Sequence, residues 1–263
     1  MELGLENKIA IVAASSSGLG KACARALALE GANIVISGRD ADRLESTRQE
    51  LQQLSASRVL AVHMDVTRRE DIDSLVAEVL SNFKGVDILV NNAGGPAPGF
   101  FPDTSDEDWD AAYELTLKSS VRMTRAVLPY MRKQGWGRII NIASSTVKQP
   151  IDQLLLSNSL RLAVVGWAKT LSNQVAAEGI TINNACPGWT TTERVKTLMQ
   201  ARAEANNTSA EAELQAIAQT IPMGRLGTPE EFADLVVFLA SERARYITGT
   251  SIQFDGGTTA GFN

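Results

Sequence analysis

Histidine, cysteine and tyrosine are all scarce in this chain: one, two and three of them in 263 residues. His63, the single histidine, lies in the strand-like VLAVHMDV, so a Ser-His-Asp triad would have to be built on that one ring, and a structural role is the expectation. Cys23 and Cys186 are too few for a disulfide framework or a metal centre. Both are expected to pack in the core, and no metal site is expected. No run of about 18 apolar residues occurs, and the opening MELGLENK lacks the basic-then-apolar layout of a signal peptide, so the expectation is a cytoplasmic protein without a membrane span. Blocks of one charge are missing as well. The 25 basic and 30 acidic residues sum to −5 and are interspersed, which argues against nucleic acid as a partner.

What is present is a repeated alternation. Short runs rich in β-branched and aliphatic residues fall at 9–12, 33–37, 59–64, 87–90, 138–142, 181–185 and 251–254, with longer helical patterns between them. Seven such runs predict an α/β fold, a doubly wound parallel sheet of about seven strands covered by helices on both faces. Continuous apolar strands fit burial on both sides. The 44% hydrophobic content suits one large buried core, and with no repeat, low-complexity tract or linker the whole of 1–263 reads as a single domain.

Local signals mark several helix starts. Thr67-Arg-Arg-Glu70 and Thr208-Ser-Ala-Glu211 have the spacing of capping boxes, and Pro229-Glu-Glu places proline in a first helical turn. The least patterned stretch, 189–227, is polar and Ala/Gln-rich; it reads as a mobile flap over a cleft or as a plain surface excursion.

After the first strand comes Ala13-Ala14-Ser15-Ser16-Ser17-Gly18-Leu19-Gly20, followed by KACARALALEG. Glycines at a strand-to-helix turn let backbone N–H groups approach a pyrophosphate, and the helix N-terminus favours its charge. An alanine at position 14 is expected to keep a negative φ, since a Cβ penalises the left-handed region.

This loop resembles the Thr-Gly-x-x-x-Gly-x-Gly of the short-chain dehydrogenase/reductase family, with Ala13 and Ala14 where that family has Thr and the first Gly. The resemblance extends to Asp65-Val66, to Asn91-Asn92-Ala93-Gly94, to Pro187-Gly188 with Thr192 beyond, and to Tyr246-Ile-Thr-Gly249 and Asp255-Gly256-Gly257. It implies a dinucleotide site formed by residues 14–20, Asp65, Val66, Asn92, Ala93, Gly94, Pro187, Gly188 and Thr192. Where the second strand ends, the chain reads Ile36-Ser37-Gly38-Arg39, without the acid that would hydrogen-bond the ribose and repel a 2′-phosphate. Arg39 favours NADP, while a solvated Arg39 followed by Asp40 leaves NAD open.

The family's catalytic Tyr-x-x-x-Lys is absent. Arg138-Ile-Ile-Asn-Ile142-Ala-Ser144-Ser145 matches the strand that carries its serine, assigned to Ser144 with Ser145 as the alternative. Thirteen residues beyond Ser144, and nine before the helix glycine Gly166, both counts reach Ser157, where the tyrosine is expected. Arg161 stands in place of the lysine, and Thr116 in place of the asparagine that organises a water relay. Ser157 and Arg161 share a helical face as i and i+4. Arginine can keep a cationic, ribose-bonding role but cannot shuttle a proton. An aliphatic hydroxyl is several pKa units weaker than a phenol near ~10 and shorter by a ring. Tyr113, Tyr130 and Tyr246 are expected to pack, Lys148 and Lys169 to lie at the surface, and no tyrosine between 131 and 245 offers an enoyl-reductase-like spacing.

The resemblance therefore implies an NADP-dependent oxidoreductase, similar to 3-oxoacyl-(acyl-carrier-protein) reductases, acting on a small carbonyl or acyl-thioester substrate with a non-standard proton source. A dinucleotide-binding sensor or partner subunit without turnover is the alternative, followed by other chemistry on Ser144 and Ser157. The helix around 106–131 and the segment from Gly227 to Gly257 resemble the surfaces through which relatives assemble, implying a homotetramer with two-fold symmetry.

Overall fold

The computed structural model describes residues 2–261. Seven strands, β1 (Ile9–Val12), β2 (Asn33–Gly38), β3 (Val59–His63), β4 (Ile88–Asn91), β5 (Gly137–Ile142), β6 (Ile180–Pro187) and β7 (Ser251–Phe254), form one parallel sheet in the order β3-β2-β1-β4-β5-β6-β7. The fold is a Rossmann-type doubly wound sheet, and every sequence-predicted strand lies in it. Successive residues of a strand point to opposite faces, and both faces are covered. Ala10 and Val12 of β1 join a core with α1 (Gly18–Leu29), α2 (Ala41–Leu54) and α9 (Pro229–Ala240). Ile11 joins the opposite core, with α3 (Arg69–Phe83), α5 (Ser119–Gln134) and α6 (Leu155–Val175).

Strand order reverses at β1, whose neighbours are β2 on one side and β4 on the other. The crossovers leave this point in opposite directions, so a crevice opens at the carboxyl ends of β1 and β4. A row of amides crosses the sheet beside it. Asn91, Asn141 and Asn184 face one another in register on β4, β5 and β6. Asn91 donates to Asn141 Oδ1 at 2.8 Å, and Asn141 donates to Asn184 Oδ1 at 2.9 Å.

Two expected capping boxes are corrected. Arg68, not Thr67, precedes α3, and the Thr67 hydroxyl instead donates to Asp65 Oδ1 at 2.8 Å. The helix α8 (Ala210–Thr220) is capped by Ser209, whose oxygen accepts from Ala212 N at 3.1 Å, one residue later than the Thr208 spacing suggested. Thr208 donates to Glu213 instead. At α9 the proline signal is right: Thr228 and Glu231 form a reciprocal box around Pro229.

The stretch 189–227 is more regular than its composition suggests. It folds into α7 (Glu193–Asn206) and α8 around a small apolar core of its own, including Val195, Met199, Ile217 and Leu226. Its two ends are stitched together by Thr191 N donating to Gly227 O and Gly227 N donating to Trp189 O. The helix expected around 106–131 runs as α4 (Asp106–Ala112), a π-helical turn (Tyr113–Lys118) and α5. Tyr130 packs against the second core, whereas Tyr113 is partly exposed and Tyr246 is 99% exposed, which corrects the packing role expected for it.

Candidate functional site

A cleft of about 490 Å³ occupies the switch point. Its walls include Ala14, Ser16, Ser17, Gly18, Leu19, Arg39, Asp65, Val66, Asn92, Ala93 and Gly94 towards β1–β4, and Ser144, Ser157, Arg161, Pro187, Gly188 and Thr192 towards β5–β6. Sequence segments far apart are thus gathered into one continuous surface. Three expected residues lie behind it rather than on it: Ser15, Gly20 and Thr116.

The loop after β1 explains two of them. Ser15 is fully buried, its hydroxyl donating to Val12 O at 2.6 Å and accepting from Ser37 N at 3.2 Å. It ties β1 to β2. Gly20 lets α1 approach the loop: a Cβ there would lie 2.6 Å from Asn92 Nδ2 and 2.7 Å from Ala14 O. That same amide donates to Ala13 O and Ala14 O, at 3.1 and 3.0 Å. Ala14 departs from expectation, because its φ is +46°. The carbonyl grip of Asn92 holds an L-residue in the left-handed region, a conformation that costs of order 1–2 kcal/mol. Gly18 has φ +57° with open space around its Cβ position, and Ser17 makes no side-chain cap, so the first-turn N–H groups of α1 face the cleft. This is a cradle suited to a phosphate.

At the β2 end the cleft carries Arg39 and, in addition, Arg43. Asp40 also lines the cleft and caps α2, its Oδ1 accepting from Arg43 N at 3.0 Å. Asp65 lies 3.9 Å from Arg39. Burial alone would raise its carboxyl, but bonds from Thr67 and the charges of Arg39 and Arg68 outweigh that and hold it below the usual range. His63 is at the surface at the end of β3, its Nε2 3.0 Å from Arg39 O, a structural role for the lone ring.

The other end holds the substituted positions. On α6 the buried stripe Val175, Ser172, Ala168, Val164, Leu160 continues to Ser157, so the helix carries its polar residue to the cleft on the face that packs. Arg161 Nε donates to Ser157 Oγ at 3.3 Å, and its Nη1 donates to Ile142 O, at the end of β5, at 2.7 Å. Burial, followed by the charge of Arg194, pushes the Arg161 guanidinium down to about 10. It still carries its charge at neutral pH. Ser144 Oγ accepts from Thr146 N at 3.1 Å. Cys186, in the core as expected beside this end of the cleft, has its thiol pushed up to about 11 by burial.

Thr116 sits in the π-helical turn and faces a separate cavity of about 20 Å³ shared with Asn91, Asn92 and Arg161. That is the size for one water molecule. Thr116 Oγ1 and Asn91 Oδ1 are without hydrogen-bond partners among the described residues, so this polar chamber backs directly onto Arg161.

Among the cleft residues missed from the sequence are two arginines. Arg43 lies in the first turn of α2 and Arg194 in that of α7, where neither hydrophobic period nor motif indicates direction. Arg194 bridges the cleft mouth, donating to Gly95 O at 2.8 Å and Pro96 O at 2.9 Å.

The fold and the extent of the chain that builds this cleft are shared with known proteins. A family model for enoyl-(acyl carrier protein) reductase matches residues 13–259. The chain belongs to the short-chain dehydrogenase/reductase family. As a member of it, the chain is 36% identical over 259 residues to D-beta-hydroxybutyrate dehydrogenase of Cupriavidus necator, covering 97% of this chain and 99% of that protein. It is 32% identical to 3-oxoacyl-(acyl-carrier-protein) reductase of Aquifex aeolicus, covering 98% and 99%. Among solved structures, L-sorbose reductase from Gluconobacter frateurii, complexed with NADPH and L-sorbose, superposes with a TM-score of 0.96 at 36% identity and full coverage of both chains. No helix among the described residues is long and apolar enough to cross a membrane.

Proposed function

We propose that this member of the family is an NADP-dependent oxidoreductase that interconverts a small carbonyl compound and its alcohol, with protonation from solvent rather than from a side-chain phenol. The observation that carries the reading is the continuity of the cleft: the phosphate cradle at Ser16–Leu19 leads without interruption to Ser144, Ser157 and Arg161. The first-turn N–H groups of α1 fit a pyrophosphate, and Arg39 with Arg43 suits a 2′-phosphate. The neighbouring reductase structure with NADPH supports the same choice.

The cradle at Ser16–Leu19 with Arg39 and Arg43 would hold NADPH, which when bound would supply the hydride for the carbonyl carbon. Ser144 and Ser157 hydrogen-bond the carbonyl oxygen, and Arg161 stabilises the negative charge that develops there. Water entering the cleft gives that oxygen its proton and leaves as hydroxide. Neither serine has an adjacent base in this geometry, so both act as donors and not as proton reservoirs. The helical hairpin α7–α8 covers the substrate, and a cytoplasmic homotetramer is the working form.

The test is single-turnover reduction of a panel of aldehydes, ketones and 3-oxoacyl thioesters with NADPH, followed by absorbance and cofactor fluorescence. Oxidation of NADPH supports the reductase reading, and turnover that is lowered but not abolished in Ser144→Ala and in Ser157→Ala supports solvent as the proton source. The double change Ser157→Tyr with Arg161→Lys restores a tunable phenol–ammonium pair, and a large gain is expected. Tight binding of NADPH without turnover on any substrate would favour a sensor or partner subunit instead, and no binding would defeat both.

A further inference from the structure

The β5–β6 end of the cleft carries two guanidinium groups that no carboxylate neutralises. Arg161 and Arg194 both line it, and neither makes an ion pair among the described residues. The acids of the cleft are Asp40, Asp65 and Glu193. Asp40 and Asp65 sit at the opposite end with Arg39 and Arg43, and the Glu193 carboxylate holds Lys196 at 2.7 Å and faces the charge of Arg43. Lys148 adds a further positive charge felt at Cys186.

Two like charges gathered in a partly desolvated cleft repel each other, and that repulsion contributes to the lowered basicity of Arg161. An anion between them would relieve it. The donors for one are present. A guanidinium has five N–H bonds. Arg194 directs two nitrogens at Gly95 O and Pro96 O, and Arg161 uses Nε and Nη1 on Ser157 and Ile142 O, which leaves Arg161 Nη2 and Arg194 Nε uncommitted. Around them the wall is apolar: Ile151, Leu154, Trp189, Val195 and Leu198.

We propose that this end of the cleft selects a substrate bearing a carboxylate on a short apolar frame, with the carboxylate held by Arg194 and the reacting carbon beside Arg161 and the two serines. The inference rests on the reductase reading above and specifies its substrate class. Arg194 is a specificity residue, its two terminal nitrogens anchored from α7 to the loop after β4 so that the anion meets the remaining N–H groups of a fixed guanidinium rather than a free side chain.

The test is calorimetric binding to protein saturated with NADP+, which cannot deliver hydride. The probes are 4-oxopentanoate and phenylpyruvate, each against its methyl ester. The acids are expected to bind about ten- to a hundredfold more tightly than the esters, the range of a charge-assisted bond. Arg194→Gln should bring the acids to the level of the esters while leaving NADP+ affinity unchanged, and Arg194→Lys should keep part of the preference. Equal affinity of acid and ester, or no acid binding at millimolar concentration, overturns the proposal. A fall in NADP+ affinity in Arg194→Gln would assign that arginine to the cofactor and overturn it too. If NADP+ fails to bind the unaltered protein, the reductase reading fails, and the same acid–ester titration on unloaded protein reads the anion site independently.

Discussion

Arg39 and Arg43 converge on one end of the cleft, where Asp40 is engaged as a helix cap and Asp65 lies 3.9 Å from Arg39. A phosphate there would compete with these two carboxylates for the guanidinium groups. Arg39→Ala should weaken NADPH by about 1.5–3 kcal/mol and leave NADH nearly unchanged. Equal losses in fluorescence titrations with both cofactors would assign Arg39 a general role. Ala14 offers a second test. Replacing it with glycine releases about 1–2 kcal/mol of left-handed strain and gives back about 0.5–1 through the freer unfolded chain. The net gain, between about 0 and 1.5 kcal/mol, raises the melting temperature by about 2–4 °C for each kcal/mol. A lower melting temperature would show that the Cβ of Ala14 makes contacts worth more than its strain. Residue identity in this loop was legible from the sequence, but its backbone was not. The expectation of a negative φ neglected Asn92, 78 residues away, whose amide fixes the carbonyl of Ala14.

Elements were read more reliably than their ends. All seven strands were legible as short runs rich in β-branched and aliphatic residues, most plainly β1, β2 and β4, which are buried almost throughout, and less so the half-buried edge strands β3 and β7. Capping was less so, since a side chain three residues from a glutamate can bond elsewhere: Thr67 turns to Asp65, and Thr208 turns to Glu213. Thr228 does form its box, and α9 buries Phe232, Val236 and Leu239 against α1 and the sheet. Thr228→Ala is expected to cost about 1 kcal/mol, read as a lower urea midpoint with an unchanged slope. Ser209→Ala should weaken α8 similarly, whereas a larger effect of Thr208→Ala would contradict the cap seen here. The π-helical turn at Tyr113–Lys118 was invisible in the sequence. It presents Thr116 to the chamber behind Arg161, a contact between distant segments that no local pattern encodes.

At the scale of the molecule, the exposed apolar groups point to assembly. Tyr246 is 99% exposed beside the open edge strand β7, Phe238 of α9 is 37% exposed, and Leu162 on α6 is 54% exposed. A two-fold pairing of these surfaces would cover the edge strand and the tyrosine together. Light scattering at micromolar concentration is expected to give a tetramer, and Tyr246→Asp should weaken its association by about 2 kcal/mol or more per interface, as for a buried tyrosine anchor. A monomer in the unaltered protein would defeat this assignment. The overall architecture was legible because strand runs and glycine turns recur in order. The charge pattern of the cleft was not, since Arg43 and Arg194 acquire their meaning only when α2 and α7 are folded against the same crevice.

The amide row from Asn91 through Asn141 to Asn184 also bears on how the chain finds its fold. Apolar strands alone are nearly indifferent to sliding, because valine beside isoleucine is much like isoleucine beside valine. Three amides that must meet act as teeth on a rack. A shift of β5 by one position would turn Asn141 to the other face and break the bonds it shares with Asn91 and Asn184, each worth about 0.5–1.5 kcal/mol. The seam thus makes misaligned sheets expensive at the place where the cleft is built, and the serine and arginine that follow β5 and line the site inherit their positions from it.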